Sequence, residues 1–129
     1  MSDDRYARGW DKLAEIDPQQ PQRVTQFVQD IAPDLARYTM EFAFGDIYSR
    51  PGLDLKTREI AAVAALTAMG TAFPQLKFHI QGAVNVGCTR EEIVEVILQM
   101  AAYAGFPAAL NGIWAAKEAF QELDQRGPR

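Results

Sequence analysis

The sequence predicts an all-α protein, a compact helical domain of about six or seven helices. Apolar residues recur at three- and four-residue intervals along most of the 129 residues. No stretch alternates apolar and polar residues over the length of a strand, and the Asn-Gly pair at 111–112 lies inside a helical pattern. Proline and glycine fall between the periodic stretches. We expect one domain over 1–129, with its core at about 35–123 after a helical segment at 2–31.

The N-terminal third predicts three helices. Ser2, Asp3 and Asp4 suit the start of the first helix, because short polar side chains cap free backbone N–H groups. Pro18 and Pro21 end or interrupt it. We expect the recurring apolar residues to be packing faces: Tyr6, Trp10, Leu13 and Ile16 in the first helix, Val24, Phe27, Val28 and Ile31 in the second, and Leu35, Tyr38, Phe42 and Ile47 in the third.

The middle of the chain predicts a turn followed by a central helix. In the turn, Pro51 fixes the backbone and Gly52 can take the positive φ of the next position. Asp54 then suits the N-cap of a helix over 55–69, and Gly70 ends it. Beyond its first turn this helix is apolar on every face, so we expect it to lie in the middle of the molecule.

Two further helices follow. Pro74 suits an early position of the next helix, on whose inward side we expect His79. After Gly87, Thr89 and Glu92 have the spacing of a capping box. The inward faces are expected at Leu76, His79, Ile80, Ala83 and Val84 in one helix and at Ile93, Ile97, Met100 and Ala104 in the other.

The last helix is predicted over about 108–123, after a break at Gly105 and Pro107. Its expected packing side consists of Leu110, Ile113, Phe120 and Leu123. The polar tail DQRGPR is expected to fray. The broad apolar stripes of the last three helices suggest faces buried between subunits of a homo-oligomer.

Composition narrows the classes of function. The net charge is -4, without a cluster of Lys and Arg interleaved with aromatics, so nucleic-acid binding is disfavoured. The N-terminus lacks the apolar core of a secretory signal and Cys88 has no disulfide partner, so we expect a cytoplasmic protein. The longest apolar run, 60–69, interrupted by Thr67, is half the roughly twenty residues that cross a bilayer, so no membrane association is expected.

The residue types also restrict the chemistry. One histidine and one cysteine do not supply the usual ligands of a zinc site, and there is no CxxC pair for dithiol chemistry. The glycines are scattered rather than grouped in a phosphate-binding loop. If the protein catalyses a reaction, we expect it to need no metal and no cofactor.

The stretch from Arg58 to His79 is the candidate active site. It joins an Arg-Glu pair to the only histidine, whose imidazole exchanges protons near neutral pH. The residues alone leave other interpretations open. His79 could be a hydrogen-bonded core histidine, Glu59 a first-turn acid stabilised by the helix dipole, and Arg58 and Arg50 surface partners of nearby aspartates.

Two segments carry a family resemblance. FAFGDIYSRPGLDLKTREI and LKFHIQGAVNVGCTREEIVEVILQMAAYAGFPAALNG closely resemble the carboxymuconolactone decarboxylase family, which is related to the alkylhydroperoxidase D-like fold. The resemblance implies a helical fold assembled into trimers or hexamers with sites near subunit interfaces. The redox branch has two cysteines where this chain has Ala72 and Gln75, which disfavours a thiol peroxidase.

The decarboxylase branch implies a specific activity. It converts 4-carboxymuconolactone into the enol-lactone of 3-oxoadipate in aromatic catabolism through protocatechuate, the β-ketoadipate pathway. On that resemblance, His79 donates a proton or a hydrogen bond, Glu59 orients or recharges it, and Arg50 and Arg58 bind the carboxylates of a small anionic substrate. The alternatives are a family member acting on another β-keto or lactone acid, and a non-catalytic oligomer that binds a small carboxylate.

Overall fold

The structure, a computed structural model, describes residues 4–127, and within that range it contains seven α-helices, one π-helix and no strand. The prediction of an all-α fold is confirmed. In chain order the elements are α1 (Arg5–Ile16), α2 (Gln20–Val28), α3 (Pro33–Tyr38), the π-helix (Thr39–Ile47), α4 (Leu55–Met69), α5 (Phe73–Asn85), α6 (Arg90–Ala104) and α7 (Phe106–Arg126).

The helices form two compact units, one ending at Leu55 and the other beginning at Lys56. The first unit contains α1 to the π-helix, and the second contains α4 to α7. The expected single domain over 1–129 stays a prediction.

In the first unit, α1 packs closely on the π-helix. Asp4 caps α1 by accepting a hydrogen bond from the backbone N–H of Ala7 at 3.0 Å, as predicted, whereas Ser2 and Asp3 lie outside the described residues. A Cβ atom on Gly9 would lie 1.7 Å from the carbonyl oxygen of Met40, so only glycine permits this approach.

The predicted packing faces of the second and third helices are wrong for the single chain. Their large apolar side chains are exposed, and Phe27 and Ile31 keep 85% and 88% of their accessible surface. In these short helices the buried positions are taken instead by Pro21 in α2 and Ala36 in α3. The exposed set is Phe27, Ile31, Leu35, Tyr38, Phe42 and Ile47.

The turn before α4 is confirmed, but not its backbone conformation. Gly52 does not take the positive φ that we expected. Positive φ occurs instead at the glycines after helices, among them Gly70 (74°), Gly87 (113°) and Gly105 (92°). A left-handed residue there lets the chain satisfy the last carbonyls of a helix, which the turn at Gly52 does not require.

The second unit has the larger apolar core. It is built from α4 to α7, and the capping box of Thr89 and Glu92 starts α6 as predicted. The buried core residues are Val63, Leu76, Ile80, Ala83, Cys88, Ile93, Ile97, Ala115, Ala116 and Ala119.

The face that α7 buries agrees with the predicted one only in part, because Ile113 and Phe120 pack against the core as expected but Leu110 does not. Leu110 is 67% exposed, while small residues such as Ala108, Gly112 and Ala115 are buried. A Cβ on Gly112 would lie 2.8 Å from Cγ2 of Ile97 and 2.9 Å from Cγ2 of Thr67. The helices are so close that only alanine and glycine are fully buried on the inner side of α7.

Helix α4 has the predicted bounds, but it is not buried on every face. Its buried residues are Glu59, Val63 and Thr67, four residues apart, whereas Met69 is 60% exposed. Burial on every face is therefore wrong for the single chain, and several of the exposed positions are alanines, whose small side chains expose little apolar surface. These three residues are called the α4 stripe below.

The C-terminal tail is more ordered than expected. Helix α7 continues to Arg126, and the guanidinium of Arg90 donates to both carboxylate oxygens of Asp124, at 2.7 and 3.4 Å. Residues 124–126 are therefore helical and do not fray as predicted, and residues 128–129 lie outside the described range. None of the helices in the described part of the chain is long and apolar enough to cross a membrane.

Candidate active site

The second unit brings Glu59 and His79 into direct contact. Nδ1 of His79 lies 2.7 Å from Oε2 of Glu59. The Glu59 side chain is fully buried and that of His79 keeps 16% of its accessible surface. Two of the residues that the sequence singled out therefore form one pair.

Packing on both helices aims these side chains at each other. On α4, Glu59 shares the stripe with Val63, so it faces the core. On α5, the residues one helical turn before and after His79, Leu76 and Ala83, are both buried, which turns the imidazole to the same side. Gly70 ends α4 and lets the chain reverse into α5 within three residues.

The pair has a definite hydrogen-bonding polarity when Glu59 is ionised. A carboxylate only accepts, so Nδ1–H of His79 donates to Oε2 and leaves Nε2 for a substrate. Within the described chain, Oε1 of Glu59 is buried without a hydrogen-bond partner. Burying a carboxylate is unfavourable unless a hydrogen-bonding or positive partner compensates, and the imidazole of His79 is a partner in direct contact with Glu59.

The alternative interpretation of Glu59 as a first-turn acid is wrong. The first turn of α4 holds no acidic residue, and Glu59 lies in the second turn with no exposed surface. Stabilisation by the helix dipole falls off beyond the first turn. The contact with His79 is what compensates this buried carboxylate.

The two candidate arginines have different positions. Arg58 precedes Glu59 on α4 and is half-buried. Arg50 is exposed and belongs to the first unit. Asp46, four residues before Arg50 in the sequence, accepts hydrogen bonds from Arg5 at 2.6 and 3.1 Å. These bonds hold the pKa of Asp46 below its ordinary value.

The sequence did not predict a cavity of about 200 Å³ at the end of α4 and the start of α5. Neither Glu59 nor His79 lines it, although Leu76, one helical turn before His79, does. Its walls are Leu66, Thr67, Gly70, Thr71, Ala72, Phe73, Leu76, Ala108, Asn111, Gly112 and Trp114. The one feature of the sequence that could have indicated this cavity is Thr67, the single polar residue in the apolar run of α4.

The next features concern metal ligands and cysteines within residues 4–127. No group of three or more His, Cys, Asp or Glu side chains there is arranged to hold a metal ion. Cys88 is buried near a helix end, and its Sγ lies 3.9 Å from the carbonyl oxygen of Lys56. Ala72 and Gln75, which stand where the redox branch has cysteines, lie at the N-cap and in the first turn of α5.

Comparison with known proteins places the chain in a family. Residues 33–118 match the carboxymuconolactone decarboxylase family. The chain is 33% identical to the 4-carboxymuconolactone decarboxylase of Acinetobacter baylyi over 95% of its length and 92% of that protein. It is also 33% identical to an uncharacterized 15.0 kDa protein of Paracoccus denitrificans, over 76% of the chain and 74% of that protein. A third relative, the nitrosuccinic acid decarboxylase of Metarhizium robertsii, is 31% identical over 67% of the chain and 60% of its own length. The chain therefore belongs to the carboxymuconolactone decarboxylase family.

Proposed function

We propose that this protein is a cofactor-independent decarboxylase of 4-carboxymuconolactone, or of a closely related lactone acid, in the breakdown of aromatic compounds. The observation that supports this most is the buried Glu59–His79 pair, with 2.7 Å between Oε2 and Nδ1. The pair offers one polarised ring nitrogen, Nε2, to a substrate. The similarity to a named 4-carboxymuconolactone decarboxylase over 95% of the chain supports the choice of substrate.

The reaction needs an electron sink and a proton. When the bond between the ring carbon and the carboxylate breaks, carbon dioxide leaves and its electron pair moves through the ring double bond onto the lactone carbonyl oxygen. The resulting dienolate takes a proton on a ring carbon and becomes the enol-lactone. His79 supplies that proton from Nε2, or hydrogen-bonds the oxyanion, and Glu59 keeps Nδ1 protonated throughout.

The remaining task is to hold the carboxylates. A guanidinium matches the two oxygens of a carboxylate, so we propose Arg58 and Arg50 as anchors. Arg58 follows from its position beside Glu59 on α4. Arg50 is proposed on the family resemblance alone.

A second substrate class is favoured by a specific observation. One relative is named for the decarboxylation of nitrosuccinic acid, in which a nitro group can accept the electron pair. The same histidine–carboxylate pair serves both reactions, because each needs only an electron-accepting group and a proton donor. The alternative function is therefore a decarboxylase of another activated acid, and beyond it a non-catalytic carboxylate binder. Thiol peroxidase chemistry is least supported, because alanine and glutamine stand at 72 and 75.

The test is turnover by the purified protein. We expect 4-carboxymuconolactone to disappear, with one carbon dioxide released per molecule, in buffer without added metal or thiol. Nitrosuccinic acid assayed in parallel separates the two substrate classes. Binding of the lactone without carbon dioxide release would contradict the proposed activity.

We also propose that the protein works as a homo-oligomer, a trimer or a hexamer. The single chain exposes large apolar side chains on both units, including Phe27 and Ile31 on one and Tyr103 and Phe106 on the other. Apolar surface on this scale is commonly covered by a partner. Light scattering coupled to size-exclusion chromatography gives the mass, and a monomer at micromolar concentration would contradict the proposal.

A further inference from the structure

One wall residue of the cavity at the end of α4, Thr67, is both buried and polar. Thr67 is 1% exposed, and its Oγ1 is buried without a hydrogen-bond partner among the described residues. The Thr67 side chain packs against Gly112, another wall residue. If Gly112 carried a Cβ atom, that atom would lie 2.9 Å from Cγ2 and 3.4 Å from Oγ1 of Thr67. An unsatisfied buried hydroxyl is unfavourable, so its presence needs a compensating role.

The same cavity meets the N-terminus of α5. Ala72, the N-cap residue, and Phe73 are both wall residues, and no side chain caps this helix. The first backbone N–H groups of a helix have no acceptor within it, and the aligned peptide dipoles give this end a positive partial charge. An uncapped helix start beside an unsatisfied hydroxyl is suited to a negatively charged group.

The rest of the wall is mostly apolar. Phe73 and Trp114 meet edge to face with 5.8 Å between ring centroids, and Leu66 and Leu76 complete an apolar surface. The Asn111 side chain adds an amide that can donate or accept. A volume of about 200 Å³ admits a ligand with one charged group and one small ring or short chain.

We propose that this cavity binds a small organic acid. Its carboxylate lies at the N-terminus of α5 and accepts a hydrogen bond from the Thr67 hydroxyl, and its apolar body lies against Phe73 and Trp114. The proposal does not rest on the decarboxylase function, because Glu59 and His79 do not line the cavity and binding is measured without turnover.

The experiment uses benzoate as the probe and benzyl alcohol as its neutral analogue. The chain has two tryptophans, Trp10 and Trp114, so labelling their indole nitrogens gives two resolvable NMR signals. We expect benzoate to shift the Trp114 signal saturably and to leave the Trp10 signal in place. Benzyl alcohol should bind about tenfold more weakly, because it lacks the charge.

Two variants test the contacts separately. Thr67→Val removes the hydroxyl at constant shape, and Ala72→Asp supplies a side-chain cap with a negative charge where the carboxylate would lie. Each should weaken benzoate binding about tenfold. Thr25→Val is the matched control, because the Thr25 hydroxyl bonds the carbonyl of Pro21 on α2, and it should leave the dissociation constant unchanged.

The proposal is overturned if the Trp114 signal shows no saturable shift, or if benzyl alcohol binds as tightly as benzoate. Unchanged affinity in both Thr67→Val and Ala72→Asp would also overturn it. So would loss of binding in His79→Ala together with full binding in Thr67→Val, because the ligand would then occupy the Glu59–His79 pair.

Discussion

The α4 stripe holds two buried polar side chains in opposite situations. Glu59 and Thr67 are 0% and 1% exposed and lie on the same side of one helix, about 12 Å apart along its axis. Glu59 has a partner 2.7 Å away in His79, whereas the Thr67 hydroxyl has none among the described residues. We propose that the difference reflects two uses of a buried polar group: the paired carboxylate orients a proton donor, and the unpaired hydroxyl binds a ligand.

Among the changes considered first, removing the charge of Glu59, the paired residue of the α4 stripe, should have the largest effect on activity. Glu59→Gln keeps the shape of the side chain but no longer favours a proton on Nδ1, so we expect kcat for 4-carboxymuconolactone to fall by about 10²-fold or more. Initial rates of lactone loss measure this. Glu95→Gln, an exposed change on α6, is the control. Wild-type kcat in Glu59→Gln would remove the carboxylate from the mechanism.

The two arginines proposed as anchors come next. Arg58→Lys and Arg50→Lys keep the charge but lose the two-pronged hydrogen bond, so the Michaelis constant should rise roughly tenfold with a smaller change in kcat. Saturation kinetics distinguishes the two constants. Arg37→Lys, an exposed position on α3, should change neither, and unchanged constants for Arg58→Lys or Arg50→Lys would exclude that arginine from substrate binding.

For Thr67, the residue of the α4 stripe whose hydroxyl has no partner among the described residues, the expected effect is on stability. Thr67→Val removes a buried hydroxyl that gains no hydrogen bond from folding, so the free energy of unfolding should rise by about 1 kcal/mol. Thr25→Val should bring no gain, since the Thr25 hydroxyl already donates to the carbonyl of Pro21 at 2.8 Å. Urea denaturation compares the two. A clear loss of stability in Thr67→Val would mean that the hydroxyl serves the fold.

The half-buried ion pair of Lys77 and Glu122, about as short as the contact between Glu59 and His79, should have the smallest effect. Nζ of Lys77 lies 2.6 Å from Oε2 of Glu122, and this hydrogen bond is the main cause that holds the pKa of Glu122 below its ordinary value. Because the folded pKa is the lower one, the stabilisation is present above the unfolded pKa, about 4.3, and is lost as the pH falls through the folded pKa.

Lys77→Met should therefore lower stability by less than about 1 kcal/mol at pH 7, and by a smaller amount at pH 3, where more of the Glu122 carboxyl is protonated. Thermal unfolding at the two pH values measures the difference. A deficit of equal size at pH 3 would show that Lys77 contributes through packing rather than through charge.

Local signals in the sequence predicted the elements well. The bounds of α4, 55–69, follow from a polar start and Gly70, and the capping box of Thr89 and Glu92 fixes the start of α6. These features depend on residues a few positions apart, which is why the sequence suffices for them.

The faces that the helices bury were harder to predict. Hydrophobicity alone favoured Leu110 in α7 and Phe27 in α2, but the structure buries Gly112 and Ala115 and leaves the larger side chains exposed. How closely two helices approach depends on contacts distant in sequence, such as that of Gly112 with Ile97. The distance between two packed helices cannot be read from the order of apolar and polar residues along one of them.

The candidate site was predicted in part. Glu59 and His79 could be named because the chain has one histidine, linked to the acid by one helix, but their contact required the fold. The roles of Arg50 and Arg58 stay predictions. The cavity was missed because its walls come from α4, α5 and α7, and only Thr67 stood out as a polar interruption.

The central claim is that the Glu59–His79 pair performs decarboxylation, and the most direct test is carbon dioxide release from 4-carboxymuconolactone by wild type and His79→Ala. We predict turnover by wild type and a rate about 10²- to 10⁴-fold lower in His79→Ala. Gln75→Ala, at an exposed position of α5, should retain the wild-type rate. Equal rates for wild type and a correctly folded His79→Ala would contradict the account.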